Sequence, residues 1–298
     1  MNDARRGMTL ERKQALWAWA FLAVPAVFYV VIRFYPTLSA FLISFTEWNL
    51  IGTRTYVGVE NYLRLAGDPV FWKVLVNTVL YGVIGLPVSI VFAFVVAYYL
   101  DHVRFMHGFL RALYFIPFLT TAAAMGWVWR WFYQPVPVGV FNLILVEFGA
   151  SQQPFLRSTV QALPAVLAPA VWAGLGFQVV IFLAGLRAIP SSYYEAARID
   201  GAGAWRILWE ITIPLLRPTL IFLIVISTIG FLRIFDQVFN MTFQGDGGPL
   251  NATKPMVLYI YDTAFRSFDM GYATAQTVIL FLMLLAITLI QLRAMRQT

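Results

Sequence analysis

The stretch that decides the fold is "KVLVNTVLYGVIGLPVSIVFAFVVAYY", residues 73–99. After Lys73 it contains no charged side chain. A helix needs about 20 mostly apolar residues to cross the hydrocarbon core of a bilayer. The stretch is long enough and apolar enough to meet that requirement, and it therefore predicts a membrane-spanning helix.

Five other segments meet the same criterion: residues 16–36, 109–133, 160–186, 218–241 and 271–292. The chain is 60% hydrophobic and 12% charged, whereas a soluble domain is about 25% charged. We therefore predict an all-α fold, a polytopic membrane helical bundle with six transmembrane helices. Residues 1–15 would form a cytoplasmic N-terminal tail, and residues 16–298 a single transmembrane domain.

The first apolar segment, residues 16–36, also has to be compared with a signal peptide. It is too long for one, it lacks a small-residue cleavage site, and Arg33 and Pro36 close it. We expect a retained helix.

Composition argues against several classes of site. The chain has no cysteine, which excludes disulfides and thiolate metal sites, and its only histidines are His102 and His107. The net charge of +7 is better explained by basic loops on the cytoplasmic side of a membrane than by nucleic-acid binding, because the basic residues do not cluster on one soluble face. We expect no nucleic-acid partner and no metal.

The distribution of basic residues predicts the orientation. With the N-terminus inside, the inner side holds twelve of the 21 basic residues and six of the 14 acidic ones. This bias follows the positive-inside rule, and six spans return the C-terminus to the cytoplasm. The loop at residues 187–217 is then cytoplasmic.

Prolines interrupt several apolar segments and predict bends, since proline removes a backbone donor. They are Pro25, Pro87, Pro117, Pro164 and Pro169. Each is compatible with a simple packing kink. Together they favour a mobile bundle around a pathway over a rigid anchor.

The inner loop 187–217 predicts two short helices separated by a glycine. Ser191 and Ser192 are candidate N-caps, and Glu195 stands three residues after Ser192, as in a capping box. Gly201 is a natural C-cap, and Pro214 would end the second helix. The loop carries mixed charges, so the residues alone leave open whether it docks on a protein or lies on the lipid surface.

Residues 195–214 carry the pattern E-A-A-x3-G-x9-I-x-I-P. It resembles the EAA loop of binding-protein-dependent ATP-binding-cassette importer permeases. Their pattern ends I-x-L-P, so Ile213 stands where the family has leucine. The context is similar to the carbohydrate-uptake branch, of the maltose and glycerol-phosphate type and its first-permease-like subunit. Residues 44–62 and 247–275 look like the first outer loop and the last outer loop with the final span of such subunits.

The resemblance implies a role for each matched residue. Glu195 would face an ATPase subunit, although a capping carboxylate explains it too. Ala196 and Ala197 would let the ATPase surface come close, and Gly201 would make the turn. Ile211 and Pro214 would fix the second helix against the membrane bundle.

The resemblance also implies the partners. They are a second related permease subunit, in a heterodimer, two ATP-binding-cassette ATPase subunits, an extracytoplasmic solute-binding protein and the lipid bilayer. The chain itself has no P-loop motif G-x-x-x-x-G-K-[ST]. We therefore expect no cofactor on this chain, no catalysis by it, and ATP with Mg on the partner ATPases. The location would be the cytoplasmic membrane of a bacterium or archaeon.

Solute contacts are sought among polar and aromatic side chains at membrane depth, because sugars are held by aromatic rings and by amide, hydroxyl and charged groups. The candidates are Asn77, Trp172, Gln178, Asp236, Gln237, Asn240 and Gln276. Each could instead make an interhelical hydrogen bond. Arg233 and Asp236 stand three apart and could form an ion pair on one helix.

Two other function classes remain as alternatives. A stand-alone secondary transporter or channel would have inverted repeats and a charged site at the membrane midplane. We detect no clear repeat. A membrane enzyme would need paired carboxylates, histidines or a metal cluster inside the bundle, and none is visible in the sequence.

Overall fold

A computed structural model describes residues 9–102 and 107–296. The α-helices there are α1 (Leu10–Tyr29), α2 (Tyr35–Ile43), α3 (Glu60–Gly67), α4 (Pro69–His102), α5 (His107–Leu119), α6 (Ala122–Phe132), α7 (Val140–Glu147), α8 (Ala162–Ala188), α9 (Ser191–Ile199), α10 (Ala204–Ile207), α11 (Ile213–Leu215), α12 (Arg217–Leu232), α13 (Asp236–Met241), α14 (Met256–Tyr261) and α15 (Met270–Arg296). Turns of π-helix occupy Val30–Phe34, Leu208–Thr212 and Asp262–Arg266, and 3₁₀ turns occupy Phe155–Arg157, Phe243–Gly245 and Pro249–Asn251. Strands β1 (Thr46–Glu47) and β2 (Thr55–Tyr56) form one short antiparallel pair.

Within the described residues, four helices can cross a membrane by length and composition, or six segments if each of two bent pairs counts as one span. Four are continuous: Leu10–Ile43, Pro69–His102, Ala162–Ala188 and Met270–Met295. The other two are bent pairs, Gly108–Leu119 with Ala122–Phe132 and Ala204–Leu215 with Arg217–Leu232. The predicted all-α class is confirmed, and a bundle of six spans agrees with these segments if each bent pair is one span.

Pro36 does not end the first span, contrary to the sequence prediction. The helix continues through a π turn at Val30–Phe34 and into α2, where Pro36 stands at the start of the new segment. The π turn before it shifts the backbone hydrogen-bond pattern, which accommodates a proline without ending the helix. The hydroxyl of Thr37 donates to the carbonyl of Arg33 at 2.7 Å. The segment is therefore longer than the predicted 16–36.

The third and fifth predicted spans are broken, the third two residues after Pro117 and the fifth at a point without a proline. α5 and α6 meet at an angle of 96° after Leu119. The span predicted over 218–241 stops at Leu232 and resumes only at Asp236. Pro25, Pro87 and Pro169 lie inside continuous helices instead. Around Pro87 and Pro169, neighbouring packing holds the helix together across the missing hydrogen bond.

The chain divides into two compact units. The first comprises the described residues up to Arg64 with Thr263–Ile279. In it, the buried Asn61 amide donates to the carbonyls of Ser44 and Thr46 at 3.0 and 2.9 Å. Arg64 forms an ion pair with Asp269 at 2.6 Å. These contacts tie the segment after the first span to the start of the last one.

The second unit comprises Leu65–Asp262 and the described residues from Leu280 onward. Its apolar core consists of two clusters, both of which contain residues of α4 and α8. One cluster joins Tyr81 of α4 and four residues of α8 to residues of α12, α13 and α14. The other adds Leu216 and Leu223 at the base of α12. The two clusters place the segment between α8 and α12 against one end of the core and α13 against the other.

Candidate functional site

The segment between α8 and α12 forms the predicted pair of short helices. The first, α9, begins at Ser191, directly after Pro190, and ends at Ile199. The predicted serine caps are not formed, because Ser191 and Ser192 are already helical and no side chain caps the helix. Pro190 takes the N-cap position with extended backbone (φ −61°, ψ 137°). The capping-box interpretation of Glu195 is therefore wrong.

Gly201 makes the turn between the two helices, as predicted. Its φ of +75° is in the left-handed region that glycine adopts without strain. The N–H of Ala202 donates to the carbonyl of Ala197 at 2.9 Å, and the N–H of Gly201 to that of Arg198 at 3.1 Å. This pair of bonds is a Schellman motif, which satisfies the last carbonyls of α9. A Cβ at Gly201 would touch nothing within 4 Å, so backbone conformation rather than crowding requires glycine.

Pro214 does not end the second helix, which corrects the sequence prediction. α10 runs into the π turn at Leu208–Thr212 and then into α11, and Pro214 stands inside that continuous segment. The change of direction comes at Leu216, where the segment Ala204–Leu215 meets α12 at 67°. A π turn displaces the backbone hydrogen-bond pattern by one residue. The proline, which has no N–H to donate, can therefore stand there without interrupting the helix.

The residues of the EAA pattern differ in exposure. Glu195, Ala196, Gly201 and Pro214 are exposed, whereas Ala197 and Ile211 are half-buried. Within the part of the chain that the structure describes, the carboxylate of Glu195 has no hydrogen bond or ion pair. It is therefore available to a basic group of another protein.

The second short helix presents an apolar and a charged side. Trp205 and Trp209 are 73% and 60% exposed and stand four residues apart. Arg206 forms an exposed ion pair with Glu210 at 2.8 Å. Arg198, Asp200 and Arg206 are exposed, as expected of solvated charges.

Two residues that the sequence reasoning missed stabilise this segment, Thr212 within it and Leu216 against the bundle. Thr212 is buried, and its hydroxyl lies 3.4 Å from the phenol oxygen of Tyr194, which joins the π turn to α9. Leu216, 1% exposed, packs with residues of α4 and α8. The apolar run "IPLL" could have indicated an anchor, but no sequence signal selects Leu216 over Leu215.

A cavity of about 320 Å³ lies on the other side of the second unit, between α5, α8, α12 and α13. It is lined by Phe118, Ala170, Ala173, Gly174, Phe177, Gln178, Ile226, Ser227, Gly230, Phe231, Ile234 and Gln237. The rings of Phe118 and Phe177 stack with centroids 5.7 Å apart and an angle of 23°. The break after α12 supplies Ile234, so irregular backbone borders the cavity, as is tolerated at membrane depth.

Gln178 is the buried polar group of this cavity. Its Nε2 donates to the hydroxyls of Ser227 at 3.1 Å and Ser89 at 3.3 Å. Its Oε1 is buried and has no hydrogen-bond partner among the described residues. A buried unpaired acceptor is costly, so a ligand hydroxyl that donates to it would be stabilised.

The structure thus brings two of the predicted solute contacts, Gln178 and Gln237, into one cavity. Asp236 and Asn240 flank Gln237 on the short helix α13, where the Asn240 amide donates to the carbonyl of Asp236 at 2.8 Å. The predicted ion pair of Arg233 with Asp236 is not formed, because α12 ends before Arg233.

The other candidates lie elsewhere. Trp172 lines an apolar cavity of about 380 Å³ between α4 and α8. Asn77 donates to the carbonyls of Asn251 and Lys254. Gln276 is fully buried in the first unit, and its amide donates to the hydroxyl of Thr263 at 3.1 Å. Asn77 and Gln276 therefore make hydrogen bonds within the protein, which was the alternative to solute contact for each of them. Ser89 and Ser227 were missed, because serine in an apolar helix usually bonds to its own backbone.

Comparison with known proteins gives the family. Residues 16–297 match the model of the family described as "Binding-protein-dependent transport system inner membrane component". The lactose transport system permease protein LacF of Rhizobium radiobacter is 31% identical over 97% of this chain and 97% of its own. The sn-glycerol-3-phosphate transport system permease protein UgpA of Agrobacterium fabrum is 32% identical over 92% of this chain and 93% of its own.

Among solved structures, a chain of a bacterial ABC transporter that imports the acidic polysaccharide alginate has the same fold. Its TM-score is 0.83, at 20% identity over 96% of this chain and 97% of that one. A second structure of an alginate ABC transporter, in complex with an alginate pentasaccharide-bound periplasmic protein, gives a TM-score of 0.82, at 20% identity and 94% coverage of both chains.

The match over nearly the whole chain and the apolar spans identify a multi-pass membrane protein. The chain belongs to the family of inner membrane components of binding-protein-dependent transport systems.

Proposed function

We propose that this chain is the permease subunit of an ATP-binding-cassette importer and translocates a sugar or a related polyhydroxylated solute. Hydrolysis of ATP, with Mg, takes place on two separate ATPase subunits. An extracytoplasmic binding protein delivers the solute, and a second, related permease completes the pathway. Both termini and the segment 187–217 face the cytoplasm of a bacterial or archaeal cell.

The observation that carries this proposal is the exposed helix–glycine–helix segment with an unpaired carboxylate. Glu195 and Ala196 stand exposed on α9, beside the open turn at Gly201. An ATPase cleft requires a protruding helix with small side chains and a charge that it can pair. The same segment leads through Leu216 into the core, so a force on α9 reaches the spans.

The cavity lined by Gln178 is the proposed solute pathway. Among the residues that the structure describes, its lining contains no charged side chain. Two stacked phenylalanines offer an apolar surface, and Gln178, Ser227 and Gln237 offer amide and hydroxyl groups. This chemistry suits a neutral polyhydroxylated solute, which presents apolar faces and hydroxyl edges. The absence of a charged group in the lining also disfavours a secondary transporter with a charged midplane site.

The test is a purification of the tagged chain from its native membrane in mild detergent, with Glu195→Ala beside the wild type. We expect an ATPase and a second six-span subunit to co-purify with the wild type. The variant should either fail to retain the ATPase subunits or retain them without coupling ATP hydrolysis to transport, because the carboxylate is no longer there to pair with the ATPase. Glu147→Ala is the matched control, since Glu147 is an exposed glutamate at the end of α7.

Purified complexes should then move solute into liposomes only with ATP and solute-loaded binding protein. A chain that purifies alone, transports without ATP and ignores the Glu195 substitution would contradict the proposal and favour the stand-alone secondary transporter or channel.

A further inference from the structure

The base of α12 is fastened to the far end of α15 by one side chain. Arg217 is the first residue of α12, directly after the joint at Leu216. Its Nη2 donates to the carbonyl oxygen of Met295 at 2.7 Å, across 78 residues of chain. Met295 lies in the last turn of α15. The residue directly after the bend at Leu216 is therefore hydrogen-bonded to the end of the last span.

The carbonyl that Arg217 bonds has a reason to accept. The last four carbonyls of an α-helix have no partner within the helix. A cation placed there is also attracted by the negative end of the helix dipole. Arg217 therefore acts as the C-terminal cap of a helix to which it does not belong.

Apolar side chains do not pack closely between α12 and α15 near this hydrogen bond. A cavity of about 380 Å³ opens between the two helices, lined by Ile221, Leu289, Leu292, Arg293 and Met295. Ile290 on α15 is 66% exposed. In a membrane, lipid tails solvate such side chains as well as another helix does, so polar bonds hold helices together. The second polar bond is from Gln291 Nε2 to the hydroxyl of Thr228, at 2.7 Å.

The other side of α12 is closely packed. Leu216 is buried against α4 and α8. A Cβ added at Gly185 of α8 would lie only 2.6 Å from the hydroxyl of Thr219, so the two helices touch there. The base of α12 consequently moves with α4 and α8. Among the described residues, Arg217 and the Gln291–Thr228 bond connect the end of α15 to it.

We propose that Arg217 is a positioning residue that transmits displacement of the segment 187–217 to the last span through its hydrogen bond to Met295. This inference rests on the proposed function, because it presupposes that ATPase subunits displace the segment. With this hydrogen bond, the bend at Leu216 and the end of α15 move together. Without it, ATP binding would still displace α4, α8 and α12, but the end of α15 would not follow them.

The test compares Arg217→Gln and Arg217→Lys with the control Arg293→Gln in the complete transporter, reconstituted in liposomes. Arg293 is exposed on α15 in the same groove and has no hydrogen bond or ion pair among the described residues. The readout is solute transported per ATP hydrolysed. We expect it to fall roughly tenfold in Arg217→Gln, since a hydrogen bond to a charged group corresponds to about a factor of ten or more in an equilibrium constant. Arg217→Lys keeps the charge and should fall less.

A distance measurement separates transmission from mere stability. The chain has no cysteine, so spin labels can be placed at Leu215→Cys and Leu292→Cys, which are 41% and 44% exposed. With Arg217 intact, the label distance should stay constant between nucleotide-free and ATP-bound states. In Arg217→Gln it should change between them.

An unchanged distance and an unchanged transport ratio in both Arg217 variants would overturn the inference. An equal fall of the transport ratio in Arg293→Gln would also overturn it. The same holds if the Arg217 variants only lower the yield of transporter, while each assembled molecule keeps the wild-type transport ratio and label distance. If Arg217→Gln does not assemble, Arg217→Lys decides. A wild type that shows no ATP-dependent transport would instead contradict the proposed function.

Discussion

The amide of Asn77 donates a hydrogen bond to the backbone carbonyl of Asn251 at 2.8 Å, and a second one to that of Lys254 at 3.1 Å. Asn77 lies in the apolar helix α4 and is only 6% exposed. The segment it bonds is irregular, with positive φ at Leu250 and Asn251. A backbone without regular hydrogen bonds needs side-chain donors when it is buried. Asn77 thus fixes the shape of the segment before α14.

Asn77→Ala should therefore destabilise the protein by about 1–3 kcal/mol, because the part-buried carbonyls of Asn251 and Lys254 lose the hydrogen bonds that Asn77 donates. The measurement is the midpoint of thermal unfolding in detergent. Asn49→Ala is the control, since Asn49 is exposed in the other unit. Equal midpoints for the two variants would show that the two hydrogen bonds contribute nothing.

Gly201→Ala should strain the turn between α9 and α10. The left-handed conformation costs a residue with a Cβ about 1–2 kcal/mol, and the space around Gly201 is open, so no clash is added. We expect weaker retention of the ATPase and lower ATP-driven transport. Gly201→Asn should be milder, because asparagine adopts this conformation more readily.

Gly203→Ala is the matched control for that turn. Gly203 has an ordinary φ of −73° and is equally open. If both alanine variants lost transport alike, the cause would be a lost contact surface and not the conformation of Gly201.

Gly230→Leu should fill the proposed solute cavity without unfolding the helix. Gly230 lines the cavity, and a Cβ there would meet nothing within 4 Å. We expect solute transport to be lost while the ATPase subunits still bind, because the coupling segment is untouched. Gly67→Leu, also at an open position but outside the cavity, should transport normally. Normal transport by Gly230→Leu would exclude this cavity as the pathway.

Lys254→Met should be more destabilising than the double substitution Lys254→Met with Asp262→Met. The two side chains form an ion pair at 2.8 Å and are only 12% and 14% exposed. Removal of one partner leaves a buried charge and costs about 3–5 kcal/mol, whereas replacement of both by apolar groups can be nearly neutral. Unfolding midpoints of the single and double variants test this. A double variant that is the less stable of the two would contradict it.

Periodicity and length were sufficient for the spans that are continuous. Residues 73–99 lie within α4, and residues 160–186 nearly coincide with α8. Periodicity and length did not predict the breaks at which a helix ends although the sequence stays apolar. The break at Arg233–Phe235 contains no proline or glycine, and the single Gly230 before it did not by itself indicate that the helix ends. Pro87 and Pro169 do not end the helices in which they lie, because neighbouring helices stabilise the bundle more than one missing hydrogen bond weakens it.

The candidate site was accessible to sequence reasoning to different degrees. The turn at Gly201 follows from local chemistry, since few residues other than glycine adopt φ +75° without strain. The capping role assigned to Glu195 failed because Pro190 already starts the helix. Gln178 and Gln237 were found as polar residues in apolar segments. Their meeting in one cavity could not be predicted, because α13 is positioned by the break after Leu232 and not by its own sequence.

The π turn at Leu208–Thr212 accommodates one additional residue without changing the phase of the helix that follows it. One α-helical residue turns the chain by about 100°, and a π turn holds one residue more than the α-helical turn it replaces. Deleting a single residue here would therefore leave a regular helix, with Leu216 still against α8 and Arg217 still near Met295. Inserting one further residue that stayed α-helical would instead rotate both residues away from these partners. This connection should therefore tolerate a deletion, as connections usually do, but not a helical insertion.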